Sequence, residues 1–414
     1  MGLAEALLLF VMLYPLVTAS LWMAGGVLFR LLDETDAPEV PPEGWPGVTV
    51  LIPAYNEERV IATSVHAALA VDYPDLEILV LDDGSTDETS AAATAAAAGD
   101  PRCRVIRDEV NRGKADRLNA GFRAARHELV AVTDADTHMH PEALKLLVAR
   151  IQSSAVIVAV AGAPHVTNRA RFSAAMQILE AASIIGLIRR TQALTGRVGT
   201  VAGVLGLFRR DRVLAVDGYD PRMATEDIDL TWKLLMAGWQ TAYEPRALVG
   251  MQVPARVSAL WAQRKRWARG QGEVLRTHVG AVVRWRNRRM WLLAAESVAS
   301  LVWVVLFGAS LVFALLSSAI SGDELLVFGL AWGIVIAVIG TLQTTLALVL
   351  ETDYDPGGWL AFLLQAVYPL VYWMVGALAA VRSETVGFVS GPTRERVVWD
   401  VPREALEPTR GSSN

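Results

Sequence analysis

The sequence is poor in cysteine and has no excess of basic residues. Its 414 residues include one cysteine, Cys103, which excludes an intramolecular disulfide and a metal site built from several cysteines. Lysine and arginine number 38 against 43 aspartates and glutamates, which gives a formal net charge of −5. Because nucleic-acid-binding domains are normally basic, this charge argues against a nucleic-acid partner.

Apolar residues, in contrast, are abundant and are grouped in long runs. They make up 53% of the chain, more than is usual for a soluble globular protein. Residues 7–29 are almost free of charge and are long enough to cross a bilayer core of about 30 Å. A cleaved signal peptide is the alternative, but Glu5 is the only charge before this run, so the basic start of a signal peptide is missing.

Three further stretches predict membrane spans, namely 298–318, 325–350 and 359–381. Residues 178–188 are also apolar, but this stretch is short and contains Glu180, which favours a helix lying at the membrane interface. The arginines before the second span favour a cytoplasmic location for the middle of the chain. Four spans would then leave the arginine-bearing tail outside, so the number of spans and the side of the C-terminus stay open.

Between residues 48 and 133, short apolar runs alternate with helical stretches. The runs predict strands at 48–52, 77–81, 104–106 and 128–133, and the stretches between them predict helices at 58–70, 86–98 and 114–125. This alternation is typical of a parallel sheet with helical crossovers. Such sheets bind ligands beyond the carboxyl ends of their strands, so the residues that follow each strand are the candidates for a site.

Acidic motifs stand at these positions. The first strand is followed by Pro53-Ala54-Tyr55-Asn56-Glu57, the second by Asp82-Asp83-Gly84-Ser85, and the fourth by Asp134-Ala135-Asp136. Two aspartates separated by one residue supply the hard oxygen ligands that Mg²⁺ or Mn²⁺ prefers. Each motif alone could be an ordinary turn, and we interpret His138 and His140 as loop residues rather than metal ligands.

Two more motifs follow in the order that a single site would need. Thr225-Glu226-Asp227 offers a carboxylate that can act as a base, and Gln263-Arg264-Lys265-Arg266-Trp267 offers groups that can bind phosphates and sugar rings. The alternative for the second motif is a basic interfacial helix that uses Trp261 and Trp267 as anchors. The order and spacing of the whole set favour one site.

These motifs together resemble the inverting, processive glycosyltransferases of family two, which include cellulose, chitin and hyaluronan synthases. Three other stretches narrow the resemblance to the bacterial synthases of poly-β-1,6-N-acetylglucosamine: 183–192, 223–232 and 243–248. The similarity covers about residues 48–289. It implies a glycosyltransferase A-type domain, which is Rossmann-like with a mostly parallel sheet, joined to an all-α transmembrane bundle.

The resemblance also implies roles for individual residues. It predicts nucleotide binding by Pro53, Tyr55, Glu57, Asp83, Lys114 and Asp134. It predicts a metal at Asp136, a general base at Asp227 with Glu226 as the alternative, and acceptor or pyrophosphate contacts by Gln263, Arg266 and Trp267. Residues 201–207 correspond to the segment next to the acceptor.

The expected function is polymerisation of N-acetylglucosamine from UDP-N-acetylglucosamine into a β-linked, β-1,6 exopolysaccharide for biofilm or capsule, with help in its export. The expected cofactor is Mg²⁺ or Mn²⁺, and a small membrane subunit is the expected partner. Alternatives are a hyaluronan-, chitin- or cellulose-type synthase, a lipid-linked single-sugar transferase, and a transporter or scaffold with a degenerate transferase domain.

The expected domains are a membrane helix at 1–32, a linker at 33–47, a cytoplasmic catalytic domain at 48–289, three membrane helices at 290–382, and a tail at 383–414.

Overall fold

The computed structural model describes residues 3–34, 41, 44–169, 172–254, 256–321, 324–368, 372 and 374–398. Most of the predicted linker lies outside the described residues, as does the predicted tail from residue 399 onward. Eight strands form one sheet with the order β3-β2-β1-β4-β7-β6-β8-β5. The strands are β1 (Val48–Ala54), β2 (Leu76–Asp82), β3 (Cys103–Arg107), β4 (Leu129–Thr133), β5 (Thr137–Met139), β6 (Ile157–Val166), β7 (Leu205–Arg209) and β8 (Gln240–Met251).

Helices cover both faces of this sheet and continue into an apolar bundle. Those before β7 are α1 (Leu3–Leu32), α2 (Ile61–Leu69), α3 (Thr89–Ala97), α4 (Lys114–Ala124), α5 (Ala143–Gln152), α6 (Phe172–Glu180) and α7 (Leu187–Ala193). Those after it are α8 (Arg210–Ala215), α9 (Glu226–Met236), α10 (Val257–Val282), α11 (Trp291–Ser321), α12 (Glu324–Glu351), α13 (Gly358–Ala361) and α14 (Met374–Ser390).

The first half of the sheet is parallel, as the sequence predicts. Strand β1 pairs in parallel with β2 and with β4, and β2 pairs in parallel with β3. All residues of β1, β2 and β4 are buried, because helices cover both faces. The four predicted strands and the three predicted helices between them are confirmed, although α2 and α3 each begin three residues later than predicted.

The late starts of α2 and α3 have a common cause in the loops that precede them. The backbone N–H of Thr86 donates to Asn56 Oδ1 at 2.9 Å, and that of Glu58 donates to Asp87 Oδ2 at 3.2 Å. The N–H of Glu88 in turn donates to Glu58 Oε2 at 3.3 Å. These reciprocal bonds hold the two loops together outside the helices, at the edge of the sheet where the site lies.

The second half of the sheet mixes strand directions. Strand β7 is antiparallel to both β4 and β6, β5 is antiparallel to β8, and β6 is parallel to β8. Between β6 and β7 the chain forms α6, a π-helical stretch (Ala181–Gly186) and α7. Both ends of this long helical segment therefore lead into strands of the same sheet.

Two hydrophobic cores sandwich the sheet. One joins β1 and β2 to α2, α3 and α5, and includes Ile52, Ile61 and Leu147. The other lies on the opposite face, where Leu118 and Phe122 of α4 pack with Phe208. The sheet is thus held from both sides, which fixes the positions of its strand ends.

Among the described residues, four helical segments are long and apolar enough to cross a membrane by length and composition: Ala6–Leu32, Phe172–Ala193, Trp285–Ser310 and Trp332–Glu351. Three of them coincide with α1, α11 and α12 and overlap predicted spans. The fourth contains the stretch that the sequence predicts to be interfacial. In its most apolar 18-residue stretch, 56% is buried within the protein, compared with 11–33% in the corresponding stretches of the others.

The predicted span at 359–381 differs from the structure, since the described residues do not form one helix there. Helix α13 ends at Ala361, a short 3₁₀ turn (Phe362–Leu364) follows, and α14 begins only at Met374. Residues 369–371 and 373 of this stretch lie outside the described residues. Helix α14 packs along α10 and continues to Ser390, so it includes the first residues of the predicted tail.

Candidate active site

The carboxyl ends of β1 and β2 form one side of the candidate site. Ala54, the last residue of β1, is in register with Asp82, the last of β2, so the motifs that follow them lie side by side. The side chain of Asp83 accepts hydrogen bonds from the backbone N–H groups of Arg112, at 3.0 Å, and Gly113, at 2.7 Å. Burial raises the pKa of Asp83, although these two N–H groups act in the opposite direction. Asp83 therefore fixes the turn that precedes Lys114.

The residues predicted around Tyr55 lie at the same edge. Pro53 is buried within β1, and Tyr55 follows the strand with a half-buried ring. Glu57 is 3% exposed, and its backbone N–H donates to Thr89 Oγ1 at 2.7 Å. The structure thus brings Pro53, Tyr55 and Glu57 next to the loop that carries Asp83.

Lys114 joins this side of the site to the acidic motifs. Its Nζ lies 2.5 Å from Asp134 Oδ1 and 3.9 Å from Glu226 Oε1. Burial lowers the pKa of Lys114, but the nearby carboxylates outweigh burial and raise it above the usual value. For Glu226, burial and neighbouring Asp227 raise the pKa, and Lys114 lowers it only in part. A cation between carboxylates therefore stands at the centre of the site.

Asp134 and Asp136 occupy a turn at the end of β4. The hydroxyl of Ser64 donates to the carbonyl of Ala135 at 2.6 Å, and the hydroxyl of Thr137 donates to that of Asp134 at 2.8 Å. Ala135 is fully buried, whereas both aspartates are half-buried. The turn is therefore held by its neighbours, and the carboxylate of Asp134 reaches Lys114.

Asp227 lies in the first turn of α9, next to Glu226. Carboxylates are stabilised at this end of a helix by the helix dipole. Tyr219 is 2% exposed nearby, and its pKa is raised well above the usual value by burial and by the charges of Glu226, Asp227 and Asp134. Its phenol thus stays protonated beside the acidic cluster.

Helix α10 brings the basic-aromatic motif against this acidic turn. A Cβ atom on Gly270 would lie 2.2 Å from Thr225 Oγ1, so only glycine permits this approach. Glu273 accepts a hydrogen bond from the N–H of Ala224 at 3.0 Å and one from Arg269 Nε at 2.8 Å. Helix α10 is therefore attached to the residues just before Glu226.

The three predicted residues of α10 differ in their surroundings. Arg266 is exposed and lies near the acidic turn, with its Nη1 donating to the carbonyl of Ala224 at 3.4 Å. The guanidinium of Arg264 stacks over the Trp267 ring at 4.5 Å from its centroid. The Oε1 atom of Gln263 is buried and has no hydrogen-bond partner among the described residues.

The donor set fits a divalent cation that is held jointly with a substrate. Within the described part of the chain, no three His, Cys, Asp or Glu side chains group as a metal site. Mg²⁺ and Mn²⁺, however, prefer oxygen ligands, and Mg²⁺ is usually bound by one or two carboxylates together with substrate phosphates. The carboxylates of Asp134 and Asp136 meet that requirement. His138 lies in the short strand β5, and His140 follows it.

The chain after α14 makes a contact near the site that the sequence does not predict. The backbone N–H of Val397 donates to the carbonyl of Pro221 at 2.8 Å, and Arg396 forms an ion pair with Asp116 at 2.9 Å. The segment 391–398 therefore lies against the turn that carries Lys114 and against the loop before Glu226. No motif in that segment signals this contact.

The arrangement combines a cluster of opposite charges with two carboxylates at the start of a helix. Lys114 and Arg266 can contact anionic oxygens, Asp134 and Asp136 can hold a cation, and Asp227 can accept a proton. These are the elements that transfer of a sugar from a nucleotide requires.

Comparisons with known proteins agree with this arrangement. Residues 46–270 match the family described as glycosyltransferase like family 2. A poly-β-1,6-N-acetyl-D-glucosamine synthase from Staphylococcus epidermidis is 30% identical over 383 residues, which cover 90% of this chain and 93% of that protein. The synthase of the same name from Staphylococcus aureus strain COL is 30% identical over 377 residues, with 89% and 91% covered.

A solved structure shares the fold. A mannosyltransferase from Pyrobaculum calidifontis, in complex with GDP-Man and Mn²⁺, has a TM-score of 0.67 and 20% identity, covering 88% of this chain and 99% of that one. The predicted glycosyltransferase A-type domain with an apolar helical bundle is confirmed. The family match spans more than half of the chain, and the synthases match nearly all of it, so this chain belongs to glycosyltransferase family 2.

Proposed function

We propose that this protein polymerises N-acetylglucosamine from UDP-N-acetylglucosamine into a β-1,6-linked polysaccharide. The observation that carries the proposal is the meeting of Lys114, Asp134 and Glu226 at one sheet edge, with α10 packed against the same acidic turn. The similarity to the staphylococcal synthases, over about nine tenths of both chains, supports the choice of sugar and linkage.

In the proposed reaction, an acceptor hydroxyl attacks the anomeric carbon of the donor sugar. Asp227 takes the hydroxyl proton, a bond forms between the acceptor oxygen and the anomeric carbon, and the bond to the diphosphate breaks as UDP leaves. This single displacement converts an α-linked donor into a β-linked product. Glu226, beside Asp227, is the alternative base, but its contact with Lys114 favours a role in ordering the charges around the diphosphate.

The donor is proposed to bind at the edge formed by β1 and β2. In this proposal Pro53, Tyr55 and Glu57 contact the nucleoside, supported by their position at the ends of β1 and β2, and Asp83 holds the turn from which Lys114 reaches Asp134. Asp134 and Asp136 would hold Mg²⁺ or Mn²⁺ with the diphosphate. That cation supplies charge neutralisation of the leaving group, which is commonly worth several kcal/mol.

The acceptor is proposed to bind on the side formed by α10. Trp267 offers a ring face for a sugar, and Gln263 has a buried carbonyl that can accept a hydrogen bond. The exposed Arg266, which lies near the acidic turn, would contact the pyrophosphate of the leaving group. These contacts suit a growing polysaccharide that stays bound between successive sugar transfers.

We also propose that the catalytic domain is cytoplasmic and that α1, α11 and α12 cross the plasma membrane. The helical segment Phe172–Ala193 begins and ends at strands of one sheet, so its ends share one side and it suits the interface. The segment 391–398 contacts catalytic loops, which supports a C-terminal part on that same side. Three crossings are consistent with this placement and with the arginines that precede α11.

A small membrane subunit is the proposed partner. Three spans are few for the passage of a hydrated polysaccharide, because polar groups at membrane depth need a protein-lined path. Purified protein in lipid vesicles tests this: we expect little transport of polymer into the vesicles from the chain alone. Full synthesis and transport by a monomer would contradict the need for a partner, and the same by a dimer would replace the partner with a second copy.

The sugar nucleotide that the protein uses as donor tests the proposed function. Membranes that contain the protein are incubated with labelled UDP-N-acetylglucosamine, UDP-glucose, or UDP-N-acetylglucosamine with UDP-glucuronate. Polymer from UDP-N-acetylglucosamine alone is the expected result. A requirement for glucuronate, or polymer from UDP-glucose, would indicate a hyaluronan- or cellulose-type synthase. Labelled lipid without polymer would indicate single-sugar transfer, and no transfer from any donor would favour a transporter or scaffold.

A further inference from the structure

The loop of residues 199–204, which leads into β7, is attached to the helix that carries Asp227. The backbone N–H of Val201 donates to Thr231 Oγ1 at 3.0 Å, and the Thr231 hydroxyl donates to the carbonyl of Asp227 at 2.7 Å. Thr231 is fully buried, so this connection is shielded from water. A displacement of the 199–204 loop would therefore disturb Thr231, whose hydroxyl is bonded to the backbone of Asp227, the proposed base.

The same loop lies against the charged centre of the site. A Cβ atom on Gly203 would lie 2.7 Å from Lys114 Nζ and 3.6 Å from Asp134 Oδ1, so the backbone of the loop passes directly over this pair. The hydroxyl of Thr133 donates to the carbonyl of Val204 at 3.0 Å. The 199–204 loop thus forms a wall of the site between Asp227 and the Lys114–Asp134 pair.

On its other side the loop is tied to the apolar helices. The N–H of Gly199 donates to Gln192 Oε1 at 2.9 Å, and Gln192 Nε2 donates to Glu296 Oε2 at 3.2 Å. The second carboxylate oxygen of Glu296 accepts a hydrogen bond from Trp22 Nε1 at 3.2 Å. One hydrogen-bonded chain therefore runs from α1 and α11, through Gln192 of α7, to the loop.

Glu296 is an unusual residue for its position. It lies in the segment Trp285–Ser310, which is apolar enough to cross a membrane, and Trp22 lies in the segment Ala6–Leu32. Ionisable residues in such segments are costly and are commonly found where function requires them. A bond to Trp22 alone would satisfy one oxygen, whereas the second oxygen is directed through Gln192 to the active-site loop.

We propose that Gln192 and Glu296 are positioning residues that hold the 199–204 loop in place for the acceptor. This inference rests on the proposed function. The loop touches the Lys114–Asp134 pair, but most of the proposed donor contacts, those at the ends of β1 and β2, lie outside this hydrogen-bonded chain. Loss of these hydrogen bonds therefore impairs attack by the acceptor, while donor binding persists. Water then replaces the acceptor hydroxyl in a larger share of turnovers.

An exchange of the two side chains tests the proposal. Gln192→Glu places the carboxylate of residue 192 against that of Glu296. Glu296→Gln leaves two facing amides, which cannot hydrogen-bond to each other and also accept from both the Gly199 N–H and Trp22 Nε1. In the double variant all three hydrogen bonds can form again, since Gln at 296 donates to Glu at 192. Gln271→Glu is the matched control, because Gln271 reaches α11 at Ser297 without touching the loop.

Polymer formation and UDP release are measured in parallel on the full chain in membranes. Each single variant is expected to lower the sugar incorporated per UDP released by about tenfold, the typical effect of one unmade buried hydrogen bond. The donor KM should stay within about twofold of the wild-type value. The double variant should recover most of the sugar incorporated per UDP released, the quantity called coupling below.

Three outcomes would overturn the inference. The first is unchanged coupling in both single variants. The second is a proportional fall of incorporation and UDP release that the double variant does not restore, which indicates a structural role only. The third is an equal effect of Gln271→Glu. A wild-type protein that forms no polymer would instead refute the proposed function itself, and with it the acceptor role of the loop.

Discussion

Replacement of Lys114 by methionine removes the cation at the centre of the candidate site. Lys114 Nζ lies 3.9 Å from Glu226 Oε1, and the two side chains are 19% and 15% exposed. Unit charges about 4 Å apart interact by roughly 4 kcal/mol at an effective dielectric constant of about 20. Since one pKa unit corresponds to about 1.4 kcal/mol, the upper limit of the change is about three units. Water entering the emptied space reduces this, and we expect a rise of about one unit in the pKa of the acidic cluster.

The sign of the effect follows from the lost attraction. Without Lys114 the carboxylates hold their protons to a higher pH, so the acid limb of the activity profile moves upward by about one pH unit. The donor KM should also rise about tenfold or more, because a hydrogen bond to a charged group is worth about 1.5–3 kcal/mol. Incorporation of labelled N-acetylglucosamine is measured from pH 5 to 9, with Lys145→Met as the control, since Lys145 pairs with Asp72 outside the site. An unchanged pH profile together with an unchanged donor KM would refute this account of Lys114.

Three further predictions concern the base, the metal and the packing of α14. Asp227→Asn should lower polymer synthesis by about 10²–10⁴-fold with UDP binding retained, while substantial synthesis would move the role of base to Glu226, which Glu226→Gln then tests. Asp136→Ala should abolish activity at every Mg²⁺ or Mn²⁺ concentration, and full wild-type activity in excess chelator would contradict a metal-dependent reaction. Burial raises the pKa of Glu384 from 4.5 to about 7, so its ionisation destabilises the folded state as the pH rises between these values. Glu384→Gln should therefore increase the free energy of unfolding at pH 8, by up to about 3 kcal/mol, and have little effect on it at pH 4.5. An equal change at both pH values would contradict this.

The parallel half of the sheet could be predicted because its signals are local. Strands β1, β2 and β4 are continuous apolar runs, and buried parallel strands require that composition. The motifs after these strands could then be assigned to one edge by topology alone. The starts of α2 and α3 could not be predicted, because bonds between two loops about 30 residues apart decide them.

Contacts between distant segments account for the rest of what the sequence did not indicate. The ion pair of Lys114 with Asp134, the approach of Gly270 to Thr225, and the return of Arg396 to Asp116 all depend on tertiary packing. The predicted single span at 359–381 followed from average hydrophobicity, which does not register how a buried polar residue such as Gln365 is accommodated. The roles predicted for the individual site residues stay predictions, although the structure joins Lys114, Asp134 and Glu226 in one cluster.

The linkage and configuration of the product test the central claim most directly. Polymer made from labelled UDP-N-acetylglucosamine by membranes carrying this protein is digested with glycosidases specific for β-1,6-linked and for β-1,4-linked N-acetylglucosamine, and its anomeric configuration is determined by NMR. We predict a β-configured polymer that only the β-1,6-specific enzyme degrades and that membranes with the Asp227→Asn variant do not form. An α-configured product, or a polymer that only the β-1,4-specific enzyme degrades, would contradict the account.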